Sequence, residues 1–324
     1  MTKRMRLIAL IIILNAALLL PAALLPTATF DTAGGLYSLG ALAIVFISYA
    51  RGFRAGLLSS LVVGAGAALA MTASSITVFG VMVMVLAALG QGITARHGLQ
   101  RITILVPITM AFVVSEPPTS GLLSTPLTFG LVLAAFGCLI TLAVGLVNRG
   151  TPHAEQQTAM STSRAAAYAT LLAVTTLATT TIALTNGWGH AGGWLIMTPF
   201  IVIQPYVQDG WRKALARAAG TIVGFGIAAA LASFIDSPLV LTVAGFAFAT
   251  AAIYAMVKKW HYALYATFLT PAIVLLESGG RSVTELADKR LEATLIAVGL
   301  SLIAMALAIP IYRAQARKLG LDKY

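Results

Sequence analysis

The sequence predicts an all-α polytopic membrane protein of about twelve transmembrane helices, arranged as two parallel six-helix repeats. Three observations carry this: the composition, the spacing of uncharged runs, and short segments that recur at a near-constant offset. Of 324 residues, 59% are hydrophobic and 10% charged, and the mean hydropathy is +0.93. Soluble domains carry about 25% charged residues, so a water-soluble enzyme is excluded and a bilayer becomes the main solvent.

A spanning helix needs about 20 mostly apolar residues. Runs that approach this length fall near 7–25, 33–50, 55–71, 76–93, 102–115 and 127–147, then near 165–184, 191–207, 218–234, 238–257, 262–276 and 291–312. The first follows Lys3, Arg4 and Arg6 as a signal peptide would. Its apolar core is longer than the usual 7 to about 15 residues, so it is read as a retained helix. The shortest runs, 102–115 and 262–276, each contain a proline, Pro107 and Pro271.

The net charge is +11, from 21 Lys and Arg against 10 Asp and Glu, and it sits in short clusters between apolar runs. That pattern reads as a set of topology determinants and not as a nucleic-acid surface. With the N-terminus inside, one face collects 18 basic and 3 acidic residues, net +15; the other has 3 basic and 7 acidic, net −4. Cytoplasmic loops carry the basic excess. Twelve spans with both termini cytoplasmic are expected, in a bacterial inner membrane, with the lipid bilayer as the first partner.

Ala33-Gly34-Gly35 recurs as Ala191-Gly192-Gly193, and Gly52-Phe53-Arg54 as Gly210-Trp211-Arg212, both 158 residues on, where Gly66 also matches Gly224. Glu116 pairs with Glu277 and Gly137 with Gly299 at slightly larger offsets. Residues 1–147 are expected to form the first six-helix repeat, 148–164 a short cytoplasmic linker containing Pro152, and 165–324 the second repeat. An even number of spans gives both copies the same orientation, as in transporters built from parallel repeats.

Few residues offer chemistry. Cys138 is the single cysteine, and His97, His153, His190 and His261 lack ligand spacing, so no metal site, cofactor or catalytic group is expected. The densest segment runs from Gln204 to Gly226. Pro205 bends the end of the eighth span, Gln204 offers an amide at membrane depth, and Arg212, Lys213 and Arg217 form a basic cluster at the cytoplasmic edge. That cluster would draw in an organic anion; ordinary anchors snorkelling to headgroups are the other reading. Gly220, Thr221 and Gly224 give the ninth span a small face suited to close helix packing, and such faces would also allow a homo-oligomer.

No Asp, Glu, Lys or Arg falls in the middle of an assigned span, where a proton relay is usually marked. Coupling would then use carboxylates at the edges: Glu116 and Glu277 at equivalent outer ends, and Asp209 at the inner edge. Prolines interrupting equivalent short helices point to a transport site between them. Thr109, Gln204, Tyr206, Tyr265 and Thr270 would supply polar and ring contacts there. Thr175, Thr176, Thr179, Thr180 and Thr181 would hydrogen-bond within or between helices.

Arg217-x-x-Gly220-Thr221-x-x-Gly224, with Gln204-Pro205 upstream, resembles the signature of the fusaric acid resistance and aromatic acid exporter family of bacterial inner-membrane proteins. Arg290-Leu-Glu-Ala-Thr294 resembles a second family motif, but Ala293 stands where an acid is usual, Ala297 where a glycine is, and Glu292 is the nearest substitute. The likeness covers the second half; in the first, Arg51 and Arg54 stand for the basic cluster and Gly-Thr is missing. The large cytoplasmic domain of many relatives does not appear between the halves. The resemblance implies export of small, often aromatic, organic acids, driven by the proton gradient and in some members through a periplasmic adaptor protein. On that expectation, neutralising Arg212 or Arg217 lowers export without blocking membrane insertion. The alternatives are a passive anion channel of the same fold, a major-facilitator transporter, and a non-transport envelope accessory protein.

Overall fold

Backbone amides in hydrocarbon must be satisfied within the protein, which leaves helices and closed barrels as spanning structures. The computed structural model describes residues 3–24, 33–119, 122–147, 159–204, 207–258, 260–277 and 283–318, and every regular element among them is helical. In chain order these are α1 (Lys3–Leu24), α2 (Ala33–Arg51), α3 (Phe53–Ala73), α4 (Thr77–Arg96), α5 (Gln100–Thr103), α6 (Leu105–Ser115) and α7 (Pro126–Val147). There follow α8 (Thr162–Thr185), α9 (His190–Val202), α10 (Val207–Phe234), α11 (Pro238–Val257), α12 (Tyr262–Glu277) and α13 (Val283–Lys318).

Among the described residues, seven segments are long and apolar enough to cross a membrane: Phe53–Ala73, Thr77–Arg96, Pro126–Val147, Thr162–Thr185, Gly210–Phe234, Leu239–Met256 and Asp288–Pro310. Five shorter apolar helices accompany them, with α5 and α6 counted as one. The chain is thus a multi-pass membrane protein, and the described segments coincide with the twelve expected runs. Its outward faces carry large apolar side chains, among them Leu58, Leu61, Leu86, Leu131, Leu139 and Leu307, while Ser60, Thr141, Thr180, Arg217 and Thr294 are buried. Oily residues that face lipid and polar ones that face protein are what a hydrocarbon solvent selects.

Small residues set the packing. A Cβ built on Gly64 would lie 2.5 Å from the Gly130 carbonyl oxygen, and one on Gly130 2.6 Å from that of Gly64, so α3 and α7 touch backbone to backbone. Gly92 packs α4 on Ala165 and Ala169 of α8. Gly220 and Gly224 pack α10 on α12, against Ala266 and Thr270. Around these pairs, α2 packs on α3 and α7, α9 on α6, α8 and α13, and α10 on α13. The helix of one half also reaches the other at α1 and α11, where Thr250 donates from Oγ1 to Asn15 Oδ1 at 3.0 Å.

Three boundaries differ from expectation. The expected span 218–234 begins at Val207 and 291–312 at Val283, so Arg217 and Arg290 lie two or more turns inside helices and not in loops. Hydropathy windows stop at a charge whichever way its side chain points, which is why both runs looked shorter. The 102–115 run is broken at Ile104, three residues before Pro107, whose missing amide would have bonded one turn back. Its expected partner is unbroken: α12 runs through Pro271, whose Cδ rests against Gly224. Gly52 separates α2 from α3 with φ 86°, whereas its expected equivalent, Gly210, lies within α10 and faces Met305. The 148–158 part of the linker lies outside the described residues.

Candidate functional site

Helices α9, α10 and α13 bring two guanidinium groups to one indole. Arg217 of α10 is 2% exposed and Arg290 of α13 is 3% exposed. Arg290 Cζ lies 3.6 Å from the centroid of the Trp194 ring on α9, and Arg217 Cζ lies 6.0 Å from it. The sum of these distances bounds the separation of the two carbons at 9.6 Å. Stacking on an aromatic face suits a planar, weakly hydrated guanidinium and is worth about 2 kcal/mol or more when desolvated.

The local sequence explains the placement. Arg217, Gly220 and Gly224 stand at i, i+3 and i+7, so they share one face of α10, and the glycines press that face against α12. Arg290, Thr294 and Ala297 repeat the arrangement on α13, and all three are buried. On the N-terminal side of Arg217 along α10, an apolar layer of Val202, Ala214, Val298 and Met305 joins α9, α10 and α13, with Leu171, Ala218 and Leu302 around it. Toward the start of α9, Phe112 meets Trp194 edge-on with centroids 4.9 Å apart, and it lies tilted against the His190 ring at 5.2 Å. His190 Nδ1 is 3.1 Å from Glu116 Oε2, and the Ser115 hydroxyl donates to the carbonyl of Gly189, the residue before α9.

Several polar atoms in this part of the protein are buried with no hydrogen-bond partner among the described residues. They are Arg217 Nε and Nη2, Trp194 Nε1, and the Oγ1 atoms of Thr176, Thr180 and Thr294. Such groups cost about 1–3 kcal/mol each when left unpaired, more when charged, so each calls for a physical account.

Residues 174–304 match the fusaric acid resistance protein-like family. That stretch holds Trp194, Arg217, Arg290 and Thr294, and the match bears out the resemblance carried by Arg217, Gly220, Thr221 and Gly224. No curated protein and no solved structure matches the chain. The fusaric acid resistance-like segment also contains the α9–α10–α13 contacts just described, so the buried cations lie inside the matched region.

The site residues expected from sequence divide into distinct groups. Arg217 is buried among the helices, whereas Arg212 is exposed and Lys213 half-buried, 5.8 Å over the Tyr262 ring. Tyr265 interacts electrostatically with Arg217 and packs on Tyr262 at 5.8 Å. A file of cations and rings therefore runs from Lys213 through Tyr262 and Tyr265 to Arg217 and on to Trp194 and Arg290. Thr109 and Thr270 are buried but donate within their own helices, to Leu105 and Ala266 carbonyls at 2.8 and 2.9 Å. Gln204 likewise donates to Ile201 and Ile203, closing the end of α9.

Thr175 and Thr179 satisfy themselves on the preceding turn of α8. Of the coupling candidates, Glu116 holds His190; the side chains of Asp209 and Glu277, and all of Pro205 and Tyr206, lie outside the described residues. Arg217 and Arg290 lie toward the N-terminal ends of the segments Gly210–Phe234 and Asp288–Pro310 and not in their middles, and both side chains are buried where loop positions were expected. Sequence reasoning missed Trp194. The available signal was the shared face of Arg217, Gly220 and Gly224, because a face that packs tightly must bury whatever else it carries.

Proposed function

We propose that the protein is a secondary transporter of the inner membrane that exports small organic acids, aromatic ones among them, and so confers resistance to them. The observation that carries this is the pair of buried guanidiniums around Trp194 within the fusaric acid resistance-like segment. A charged side chain at membrane depth costs roughly 2.5–3.5 kcal/mol even by insertion scales, and such residues mark ion and substrate pathways. The file from Lys213 to Arg290 gives an organic anion favourable contacts from the start of α10 to the interior. The apolar layer at Val202, Ala214, Val298 and Met305 would have to open for it to pass.

In this reading the chain is two six-helix repeats with both termini cytoplasmic, joined by the 148–164 linker. Related packing pairs support the duplication: α1 on α2 as α8 on α9, α2 on α7 as α9 on α13, and α3 on α7 as α10 on α13. The halves differ in what they bury. Helices α9 and α13 bring Trp194 and Arg290 together, whereas α2 and α7 bring together Tyr37 and Phe129, each one residue off the repeat register, with centroids 4.8 Å apart, and the working site in this reading belongs to the second half. Glu116 with His190 supplies the coupling group in this proposal.

The test is uptake of labelled 4-hydroxybenzoate by inverted vesicles, where export registers as accumulation. Saturable uptake that disappears with an uncoupler is expected. Flux that rises linearly with substrate and ignores the uncoupler would favour a passive anion channel, and no flux with any of a panel of weak acids would refute the proposal.

A further inference from the structure

We infer that Arg217 holds the carboxylate of the transported anion through its Nε/Nη2 edge, and that Arg290 does not bind the anion but positions Trp194 beside it. This deepens the proposal that the chain carries organic anions, and it assigns roles to residues within that site.

The two arginines differ in what they leave available. Arg290 lies face-on against the Trp194 ring at 3.6 Å, and Thr294 one turn further on is fully buried. Its plane is committed to the indole. Arg217 stands off that ring at 6.0 Å, and the two nitrogens it leaves without partners are Nε and Nη2. Those two nitrogens form one edge of the guanidinium, and their N–H groups run parallel, which is the fork that a carboxylate fills with two hydrogen bonds. The side chain carrying this fork is 2% exposed. Lys213, one turn earlier on the same helix, is half-buried over Tyr262 and is therefore a poorer match to a desolvated ligand.

The neighbours of the fork select the rest of the molecule. Trp194 of α9 is the ring 6.0 Å from Arg217 Cζ, and Tyr265 belongs to α12, which packs along the same face of α10. Trp194 Nε1 is a buried donor with no partner, and the helices between which the ligand would sit are held by Gly220 and Gly224. A planar apolar body can lie against these rings, while a carboxylate with no such body would gain only the fork. Thr109 and Thr270, whose hydroxyls are spent on their own helices, contribute no donor.

The experiment is equilibrium binding of radiolabelled benzoate to the purified full-length protein in detergent, with uptake measured on the same preparations in proteoliposomes. Wild type is expected to bind saturably, with acetate competing at least tenfold less well and benzamide, which keeps the ring and lacks the charge, not competing. Arg217→Lys keeps the positive charge and loses the fork; it should weaken benzoate at least tenfold, whereas Arg96→Lys, at an exposed position at the end of α4, stays within twofold. Thermal unfolding of each variant in the same detergent checks that it is folded, and the competition series on wild type tests the site without any substitution.

Arg217→Lys binding within twofold of wild type, benzamide competing as well as benzoate, or inorganic phosphate displacing benzoate at equal concentration would each overturn the assignment. So would absence of saturable benzoate binding by wild type. The two proposals fail separately: uptake with an unchanged KM in Arg217→Lys removes the site and leaves export standing. Binding that depends on Arg217 without uptake of any organic acid removes export and leaves the site.

Discussion

Replacing Gly224 by alanine tests whether α10 and α12 are held together by their backbones. A Cβ at that position would sit 2.7 Å from Thr270 Cβ, 2.8 Å from the Thr267 carbonyl oxygen and 2.9 Å from Pro271 Cδ. None of these is the free end of a flexible side chain, so α12 must move by several tenths of an ångström along an interface that also holds Gly220 against Ala266. Overpacking of this kind costs about 1–3 kcal/mol, partly offset by the gain of about 1 kcal/mol that alanine brings to a helix.

Gly226, two residues on in the same helix, has nothing within 4 Å of its Cβ position. There the same substitution keeps only the propensity gain. The two variants should differ by roughly 1–3 kcal/mol, which for a chain of this length is about 2–5 °C in midpoint temperature. Thermal unfolding in a mild detergent, followed by intrinsic tryptophan fluorescence, reads the difference directly. A Gly224→Ala protein that melts with or above Gly226→Ala would refute close backbone packing at this interface.

Other outcomes follow from the same contacts. Trp194→Ala removes the ring under Arg290 and should lower stability by about 3 kcal/mol or more and abolish 4-hydroxybenzoate uptake, while Trp194→Phe retains part of both; unfolding midpoints and vesicle uptake check this. Arg217→Ala should reduce uptake far more than Arg212→Ala, because the first group is buried at the indole and the second is exposed; equal losses in initial-rate measurements would contradict the placement. Glu116→Gln breaks the 3.1 Å pairing with His190, and uptake driven by an imposed pH gradient should fall by at least tenfold while binding of benzoate holds within twofold.

The spans were legible because hydrocarbon selects the outward faces, and a run such as 127–147 reads as one apolar word wherever it begins. The glycine contacts were legible too, since Gly220 and Gly224 four residues apart can only be a close approach or a waste of helix stability. The starts of α10 and α13 were not. Each carries an arginine that a window of hydropathy treats as water-facing, and the ring of Trp194 that both approach lies 23 residues before Arg217 and 96 before Arg290 in the chain. The proline pair misled for a related reason: Pro107 coincides with a break because the chain there is starting a helix, whereas Pro271 is accommodated by the groove that Gly224 leaves. Thr109 and Thr270 had the right depth, but whether a hydroxyl faces a ligand or its own backbone depends on a rotamer that sequence does not encode.

Each half of the chain lends a helix to the other. Helix α4 lies along α8 through Gly92 and Ala169, and α1 meets α11 through the bond from Thr250 to Asn15. The boundary between residues 1–147 and those that follow is therefore not a hinge line, because any rotation of one against the other would drag α8 with α4. A chain severed between Val147 and Thr162 would leave two fragments that each expose a stripe made for the other, and they should find one another again when made together.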